Sequence, residues 1–338
     1  SYVLPYGWSW PTCLVFGSIL SATDPVAVVS LFNTLGVSPR LTLLISGESL
    51  LNDGTAIVLF VLMMKMVKGE EISPEEATVF AFRMTFLAVL LGAFCAAVAL
   101  VIISATAETG YRTDAMIQVI ATICTGFLSF FLAEKQLETS GVITVVSAGC
   151  VFAYAAWPKF VSRETMNTVW EAIEFVCNTL IFILAGLLFG HRCITRAEKS
   201  YLSSRDFFWL FVLYLGLTLI RGFMILCAWP FLNRCGQRVT RREALVMTWS
   251  GLRGAIGLAL AIIVDAAPED KVSYEVGSQI MFHVGGIAML TILVNATFSA
   301  PLLRKLKMTK APHLAQHAEK HFERLSEEHV RAAFDRIV

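Results

Sequence analysis

The sequence has few charged residues: Asp, Glu, Lys and Arg make up 16% of its 338 residues, against about 25% in soluble domains. Hydrophobic residues make up 56%. They form repeated runs of about 20 residues, the length that an α-helix needs to cross a hydrocarbon core of about 30 Å. The scarcity of charge therefore excludes an ordinary soluble domain and predicts an all-α protein that crosses a lipid membrane several times.

Basic stripes and clustered cysteines are also missing. With a net charge of +1 and no basic stripe interleaved with aromatic residues, we expect no nucleic-acid partner. The cysteines are dispersed, without C-x-x-C or another metal-ligand spacing, so we expect no cofactor. We interpret them as free thiols that fill helix interfaces: Cys13, Cys95, Cys124, Cys150, Cys177, Cys193, Cys227 and Cys235.

The opening residues SYVLPYGWSWP lack an initiator Met, a basic n-region and a cleavage site, so no signal peptide is predicted and we expect a piece of a longer protein. Splitting the chain at its polar, Gly/Pro-rich and charged interruptions gives about nine membrane-length segments. Alternate connections between the segments lie on opposite sides of the membrane, and the set that includes the C-terminal end holds more Lys and Arg. The positive-inside rule places that set in the cytoplasm. The segments are 12–32, 41–67, 78–105, 113–133, 139–156, 166–190, 206–232, 243–265 and 275–303.

Residues 311–338 differ from the rest because they are charged and place apolar residues at roughly helical spacing. We therefore assign 1–310 to a membrane domain and 311–338 to the start of a cytoplasmic amphipathic helix. His313, His317 and His321 recur every four residues. Two interpretations of these histidines stay open, a metal-binding or pH-sensing site and an ordinary solvated helix face.

Ionisable groups deep in a membrane helix are costly, so each one is a functional candidate. The first lies in SILSATDPVAVVSLF, where Pro25 disfavours helical geometry at Asp24 and leaves the carbonyl of Ser21 without its donor. We expect the helix to break at Thr23 and Asp24. Broken helices are restricted to positions buried in protein or lining a wet cavity, and this break offers a half-helix N-terminus and backbone oxygens. We interpret it as part of an ion site, with a plain proline kink as the alternative.

The second candidate is the motif GESLLNDGTAIVLF. On a helix, Ser49, Asn52 and Asp53 share one face, and Glu48 is turned about 100° away. That face offers hydroxyl, amide and carboxylate oxygens, which are hard donors suited to a group I cation. A buried carboxylate at Asp53 can take either the cation or a proton, and this competition is the chemistry of cation/proton exchange.

Two arginines complete the set of intramembrane charges. Arg221, in LGLTLIRGFMILCAW, needs an anionic partner, and Glu48 is the best candidate for a structural ion pair. Arg253 lies in SGLRGAIGLALA, where three glycines weaken the helix. If this helix also breaks, Arg253 neutralises the negative C-terminal ends of its halves, and two crossed broken helices suggest an inverted repeat. Close helix packing through the glycines is the alternative.

The motifs SATDPVAVVSLF, GESLLNDGTAIVLF and MTWSGLRGAIGLALA resemble segments of the sodium/proton exchanger family. The matches NTLIFILAGLLFG, TLIRGFMI and FHVGGIAMLTILVNATFSAPLLRKLKM are similar to the branch with the plant salt-tolerance and sperm-type exchangers. The resemblance covers residues 14–310. It implies a polytopic antiporter fold with inverted repeats and two crossed broken helices, in which the first four of thirteen family helices are absent here.

The resemblance also implies the roles of the site residues. Asp53 matches the ion-binding aspartate and Asn52 the asparagine before it, while Ser49, Thr23 and Asp24 match the remaining cation ligands. Na⁺ is accordingly expected at Asp53, Asp24 and Ser49.

Further implications concern charge and assembly. Glu48 and Arg221 match a buried salt bridge, and Arg253 matches the arginine of the second broken helix. An Asn–Asp pair, where electrogenic relatives have Asp–Asp, implies one proton per cation. The resemblance further implies a homodimer in the plasma membrane, alternating access, roles in pH regulation and salt tolerance, and a regulatory C-terminal domain beyond this chain.

These inferences predict a secondary antiporter that exchanges Na⁺ or Li⁺ for H⁺ electroneutrally, and not an enzyme. A K⁺/H⁺ antiporter is one alternative, because ligand chemistry alone does not fix the cavity size. A cation channel is another and would carry current without obligatory proton movement. An intramembrane aspartyl protease using Asp24 and Asp53 is disfavoured because the sequence NDG lacks the G-x-G-D context of such proteases.

Overall fold

A computed structural model of the chain describes residues 5–70, 72–107, 112–198, 204–234, 238–268 and 272–309. Within these ranges the chain is helical and contains no β-strand. Residues 311–338, and with them the predicted amphipathic helix and its three histidines, lie outside the described residues. The helices are α1 Trp10–Ser21, α2 Val26–Leu35, α3 Pro39–Val67, α4 Pro74–Ala107, α5 Arg112–Phe131, α6 Gly141–Val151, α7 Arg163–Glu198, α8 Ser204–Arg234, α9 Arg241–Trp249, α10 Ala255–Asp265, α11 Tyr274–Leu290 and α12 Thr297–Lys305.

Short helical turns of other types extend several of these helices. π-helical turns follow α5 at Leu132–Gln136, follow α6 at Phe152–Ala156 and join α11 to α12 at Thr291–Ala296. A 3₁₀ turn covers Trp157–Lys159. The π-helical turns were not predicted, because dividing the sequence into apolar runs does not distinguish one rare wide turn from the α-helix around it.

Eight helical stretches of the described chain are long and apolar enough to cross a membrane. The predicted segment 243–265 is the exception, because it is interrupted between α9 and α10, which have 9 and 11 residues. Neither half reaches the length of about 20 residues that a straight crossing needs. The first interrupted segment still counts as one stretch, Trp10–Leu35, when its two helices are taken together.

Both predicted interruptions are present. α1 ends at Ser21, Ala22 is extended with ψ of 133°, and α2 begins at Val26 directly after Pro25. α9 ends at Trp249 and α10 begins at Ala255, with an extended Gly254 as its N-cap. The proline and the glycines therefore identify the two breaks correctly.

The first of two compact units comprises the residues up to Asp24, Glu48–Leu217 and Arg253–Thr291. In this unit α4 packs against α5 and α6, and α10 and α11 pack against α1 and α7. Its buried core is lined by large apolar side chains, among them Phe16, Ile19, Leu258, Met281, Phe282 and Ile287.

The contact between α4 and α6 depends on a glycine. A Cβ at Gly92 would overlap the backbone carbonyl of Thr144 and lie 2.9 Å from Cβ of Ser147. Ser147 also donates through Oγ to the carbonyl of Val89 at 2.8 Å. The two helices thus approach so closely that only a residue without a side chain fits at position 92.

A buried polar network joins distant parts of this unit. The hydroxyl of Tyr6 donates to Oδ1 of Asp206 at 2.6 Å, and Nε2 of His283 lies 2.8 Å from the same hydroxyl. Because the single proton of Tyr6 is directed at the carboxylate, His283 is the donor in the second bond. Trp8 stacks on Tyr6 and donates through Nε1 to Gln279 at 2.7 Å. The N-terminal segment is thereby tied to α8 and α11.

The second unit comprises the described residues of Pro25–Gly47, of Thr218–Leu252 and of the range from Ile292 to position 309. Within it α12 packs against α2 and α9. Trp249 and Asn295 exchange two hydrogen bonds, one from the indole Nε1 to the Asn295 carbonyl at 2.9 Å and one from Nδ2 to the Trp249 carbonyl at 3.0 Å. The core of this unit includes Phe32, Leu41, Ile45, Leu252 and Leu303.

Six cysteines have described side chains, and all of them are free thiols, as expected. The prediction that they fill helix interfaces is wrong for Cys124, Cys150, Cys177 and Cys227, which are exposed. A thiol is apolar enough to face lipid, so its presence in a hydrophobic run does not show which face of a helix it occupies.

Candidate functional site

The first break and α3 form one group of contacts in the first unit. Ser49 donates through its hydroxyl to the backbone carbonyl of Thr23, and Asn52 donates through Nδ2 to the Thr23 hydroxyl at 3.4 Å. The predicted shared face of α3 is therefore turned toward the break. The two polar side chains order the extended residues where helical hydrogen bonding is lost.

Asp53 lies on the same face of α3 and is half-buried. Its Oδ1 is buried, and no hydrogen-bond donor among the described residues reaches it. The charges of Asp24 and Arg253 lie near enough to interact with the Asp53 carboxylate. The structure thus brings the two predicted aspartates and an arginine into one electrostatic group.

Arg253 makes its contacts to the opposite break. Its Nη1 donates to the carbonyl of Ala22 at 2.9 Å, the C-cap residue of α1. We expected Arg253 to neutralise the ends of its own helix. The structure shows it bound to the C-terminal end of α1, where helix carbonyls carry partial negative charge, and the neutralisation of its own helix halves stays a prediction.

The N-terminus of α10 contributes a second positive group. A Cβ at Gly254 would overlap the side chain of Asp24, so glycine is required for this close approach. The first amide groups of a helix have no partners inside the helix and favour an anion. Asp24 therefore lies against the positive end of α10 in addition to preceding α2.

The second predicted pair, Glu48 and Arg221, belongs to α3 and α8. Arg221 donates through Nε to the carbonyl of Met247 at 2.9 Å, and its side chain packs against Gly251. These contacts attach α8 to the end of α9. The ion pair with Glu48 stays a prediction.

One contact at the second break was not predicted from the sequence motifs. The backbone N–H of Arg253 donates to Oγ1 of Thr291 at 3.2 Å. Thr291 is the first residue of the π-helical turn Thr291–Ala296. A threonine in an apolar helix is too common to be singled out from sequence, so only the fold identifies this contact.

The chemistry available in this group is that of oxygen ligands. Carboxylates, hydroxyls and an amide converge beside a break, and such donors suit a hard monovalent cation or a proton. Within the described ranges there is no cluster of three or more His, Cys, Asp or Glu that could hold a metal ion.

Comparisons with known proteins find relatives among sodium/hydrogen exchangers and antiporters. Sodium/hydrogen exchanger 7 of Arabidopsis thaliana is 36% identical over 311 residues, which are 91% of this chain and 27% of the relative. The Na⁺/H⁺ antiporter NhaH of Halobacillus dabanensis is 30% identical over 311 residues, covering 87% of this chain and 68% of the relative. This chain therefore spans about a quarter of the plant relative and two thirds of the bacterial one.

The fold has a solved counterpart. The sodium proton antiporter MjNhaP1 from Methanocaldococcus jannaschii, solved at pH 8, superposes with a TM-score of 0.67 at 18% identity, covering 90% of this chain and 72% of the antiporter. The family described as "Sodium/hydrogen exchanger, transmembrane" matches residues 1–305. With eight membrane-length helical stretches in its described residues, this chain is a multi-pass membrane protein and belongs to the sodium/hydrogen exchanger family.

Proposed function

We propose that the protein containing this chain exchanges Na⁺ for H⁺ across a membrane, with Asp53 binding the cation or the proton in turn. The observation that carries this proposal is the buried Oδ1 of Asp53, which no donor in the described part of the chain reaches. A buried carboxylate oxygen is costly unless a cation, a proton or a donor satisfies it. The names of the relatives, which are Na⁺/H⁺ exchangers and antiporters, agree with both ligands.

The proposed Na⁺ ligands are Asp53, Asp24 and Ser49, with Thr23 and Asn52 completing the set. The hydroxyl proton of Ser49 is directed at the Thr23 carbonyl, which leaves lone pairs of its oxygen for a cation. The amide nitrogen of Asn52 is directed at the Thr23 hydroxyl, which frees the Asn52 oxygen in the same way. Both hydrogen bonds thus orient the Ser49 and Asn52 oxygens and leave their lone pairs free to bind a cation.

Electroneutral exchange follows from the charges in this group. Arg253 and Asp24 carry opposite charges near Asp53, so they offset one another. One uncompensated negative charge remains on Asp53, and either Na⁺ or H⁺ neutralises it. We infer one proton moved per cation and no net charge transferred.

The assembly and cellular setting are inferred from sequence features. The excess of Lys and Arg on one side of the connections supports a cytoplasmic C-terminus. The resemblance to salt-tolerance exchangers supports a homodimer in the plasma membrane, alternating access and a role in sodium and pH regulation. The protein then acts as a transporter without covalent chemistry.

The test uses the full-length protein in liposomes with an acidic interior and a pH-sensitive dye inside. Adding Na⁺ or Li⁺ outside should raise the internal pH, and Asp53→Asn should abolish this response because the amide neither releases a proton nor balances a cation. Asp114→Asn, the same change at the start of α5, is the matched control and should retain exchange. Size-exclusion profiles and melting temperatures establish that each variant is folded.

Other outcomes would replace the proposal. A response to K⁺ and not to Na⁺ would make the protein a K⁺/H⁺ antiporter. A cation current without proton movement would make it a channel. Full Na⁺/H⁺ exchange by Asp53→Asn would remove Asp53 from the mechanism.

A further inference from the structure

The segment Ser250–Gly254 between α9 and α10 leaves backbone groups that a continuous helix would pair. In such a helix the N–H of Arg253 would donate to the carbonyl of Trp249, four residues earlier. In the first unit this N–H instead donates to Oγ1 of Thr291 at 3.2 Å. A side-chain hydroxyl thus replaces a helical acceptor at the residue that carries the guanidinium.

The Thr291 hydroxyl is held in one orientation. Thr291 is buried, with 4% of its surface exposed, and its hydroxyl donates to the carbonyl of Ala288 at 2.9 Å. A hydroxyl has one proton and two lone pairs. Because Thr291 donates its proton to the Ala288 carbonyl, a lone pair remains to accept the N–H of Arg253. The acceptor is therefore oriented before Arg253 binds it.

The side chain of Arg253 connects this part of the chain to the first break. Its Nη1 donates to the carbonyl of Ala22 at 2.9 Å, the residue at which α1 becomes extended. The next residue, Thr23, receives the hydrogen bonds of Ser49 and Asn52. A continuous series of hydrogen bonds thus runs from Thr291 through Arg253 to the segment that faces Asp53.

We propose that Thr291 is a positioning residue for the cation site: its hydroxyl fixes the backbone of Arg253, so that the guanidinium holds Ala22 and Thr23 in the geometry that binds Na⁺. This inference rests on the proposed function for the identity of the ligand. Thr291 does not touch the ion in this account. It acts through Arg253, and its loss should weaken cation binding while the reacting carboxylate at Asp53 stays in place.

The variant Thr291→Val keeps the shape of the side chain and removes the acceptor. The half-buried Arg253 then loses the acceptor of its backbone N–H, which favours movement of the 250–254 backbone. Ligands that are less preorganised bind more weakly. In this account the bond acts on the cation site and not on the conformational step, so we expect the effect on the KM for Na⁺.

The transport experiment compares variants of the full-length protein in liposomes. Thr291→Val should raise the KM for Na⁺ about three- to tenfold, the size expected for one lost buried hydrogen bond, with the maximal rate changed less than about twofold. Thr291→Ser, which keeps the hydroxyl, should behave like the unmodified protein. Thr297→Val is the matched control, because it makes the same change at an exposed residue of α12.

A second experiment measures the protection of the backbone amides and does not depend on transport. Hydrogen–deuterium exchange in detergent should be faster for the amides of 250–254 and 22–24 in Thr291→Val, and unchanged in Thr291→Ser and Thr297→Val. If Thr291→Val does not fold, Thr291→Cys takes its place, because a thiol is a weak acceptor.

The outcomes separate this inference from the function on which it rests. Unchanged exchange of the 250–254 amides in Thr291→Val overturns the inference, as does an unchanged KM or a Thr291→Ser variant that behaves like valine. If the unmodified protein does not exchange Na⁺ for H⁺, the proposed function fails, and the amide measurement alone then decides whether Thr291 positions Arg253.

Discussion

Thr23 is the residue on which the contacts of the candidate site converge. Its carbonyl accepts from Ser49 and its hydroxyl accepts from Asn52. The helical spacing of the motif predicts that these two side chains share a face with Asp53. It does not predict that they bind the first break, because that depends on how α1 and α3 pack. The contacts of Arg253 with Ala22 and with Thr291 join separate motifs and could not be predicted for the same reason.

In the proposed mechanism, Asn52 keeps the number of exchanged charges at one. We expect Asn52→Asp to make exchange depend on membrane potential, because a second carboxylate one residue from Asp53 adds a group that shares protons with the first. Liposomes clamped with valinomycin at several potentials provide the measurement, and Asn52→Gln, which stays neutral, is the control. Exchange by the unmodified protein that varied with potential would contradict the electroneutral assignment itself.

Helix breaks were predictable at the scale of elements, and helix contacts were not. Pro25 and the glycines around Arg253 identify both interruptions, since each changes local backbone geometry whatever the tertiary context. The burial of individual thiols is decided by neighbouring helices. The close approach of α4 and α6 also depends on tertiary structure, although the small residue that permits it is visible in the sequence.

Gly92 gives a direct test of the packing of α4 against α6. Gly92→Ala should destabilise the protein by about 1–3 kcal/mol, because the new methyl group overlaps the backbone of Thr144 and the helices must separate. Gly126→Ala in α5 is the matched control, since a Cβ there meets nothing within 4 Å. That change should leave stability equal or raise it slightly, because alanine favours the helix. Thermal unfolding in detergent compares the two, and equal melting temperatures would show that the contact does not constrain the helices.

At the scale of the whole chain, the membrane-length segments predicted from hydropathy are confirmed except for the one that the second break divides. Long apolar runs specify such helices without reference to their neighbours. The connections between distant parts of the chain carry no such signal. Tyr6, Asp206 and His283 are separated by long stretches of sequence and meet only in the fold.

The hydroxyl of Tyr6 connects the residues of this network, so removing it should lower the stability of the first unit. We expect Tyr6→Phe to destabilise the protein by about 1–3 kcal/mol, because Asp206 and His283 lose a buried hydrogen-bond partner. Tyr154→Phe makes the same change at a residue that is 90% exposed and should be neutral. Melting temperatures measured by intrinsic fluorescence decide between them, and a neutral Tyr6→Phe would exclude a stabilising role for the network.

The π-helical turn Thr291–Ala296 changes the angular phase of the long helix that contains it. Each π turn holds about one residue more than an α turn, and one residue corresponds to about 100° of rotation. A helical wheel with one fixed period through Tyr274–Lys305 therefore assigns the wrong face to α12. Spin labels or cysteine probes placed along this helix should show an accessibility pattern with one period before Thr291 and the same period, out of phase, after Ala296.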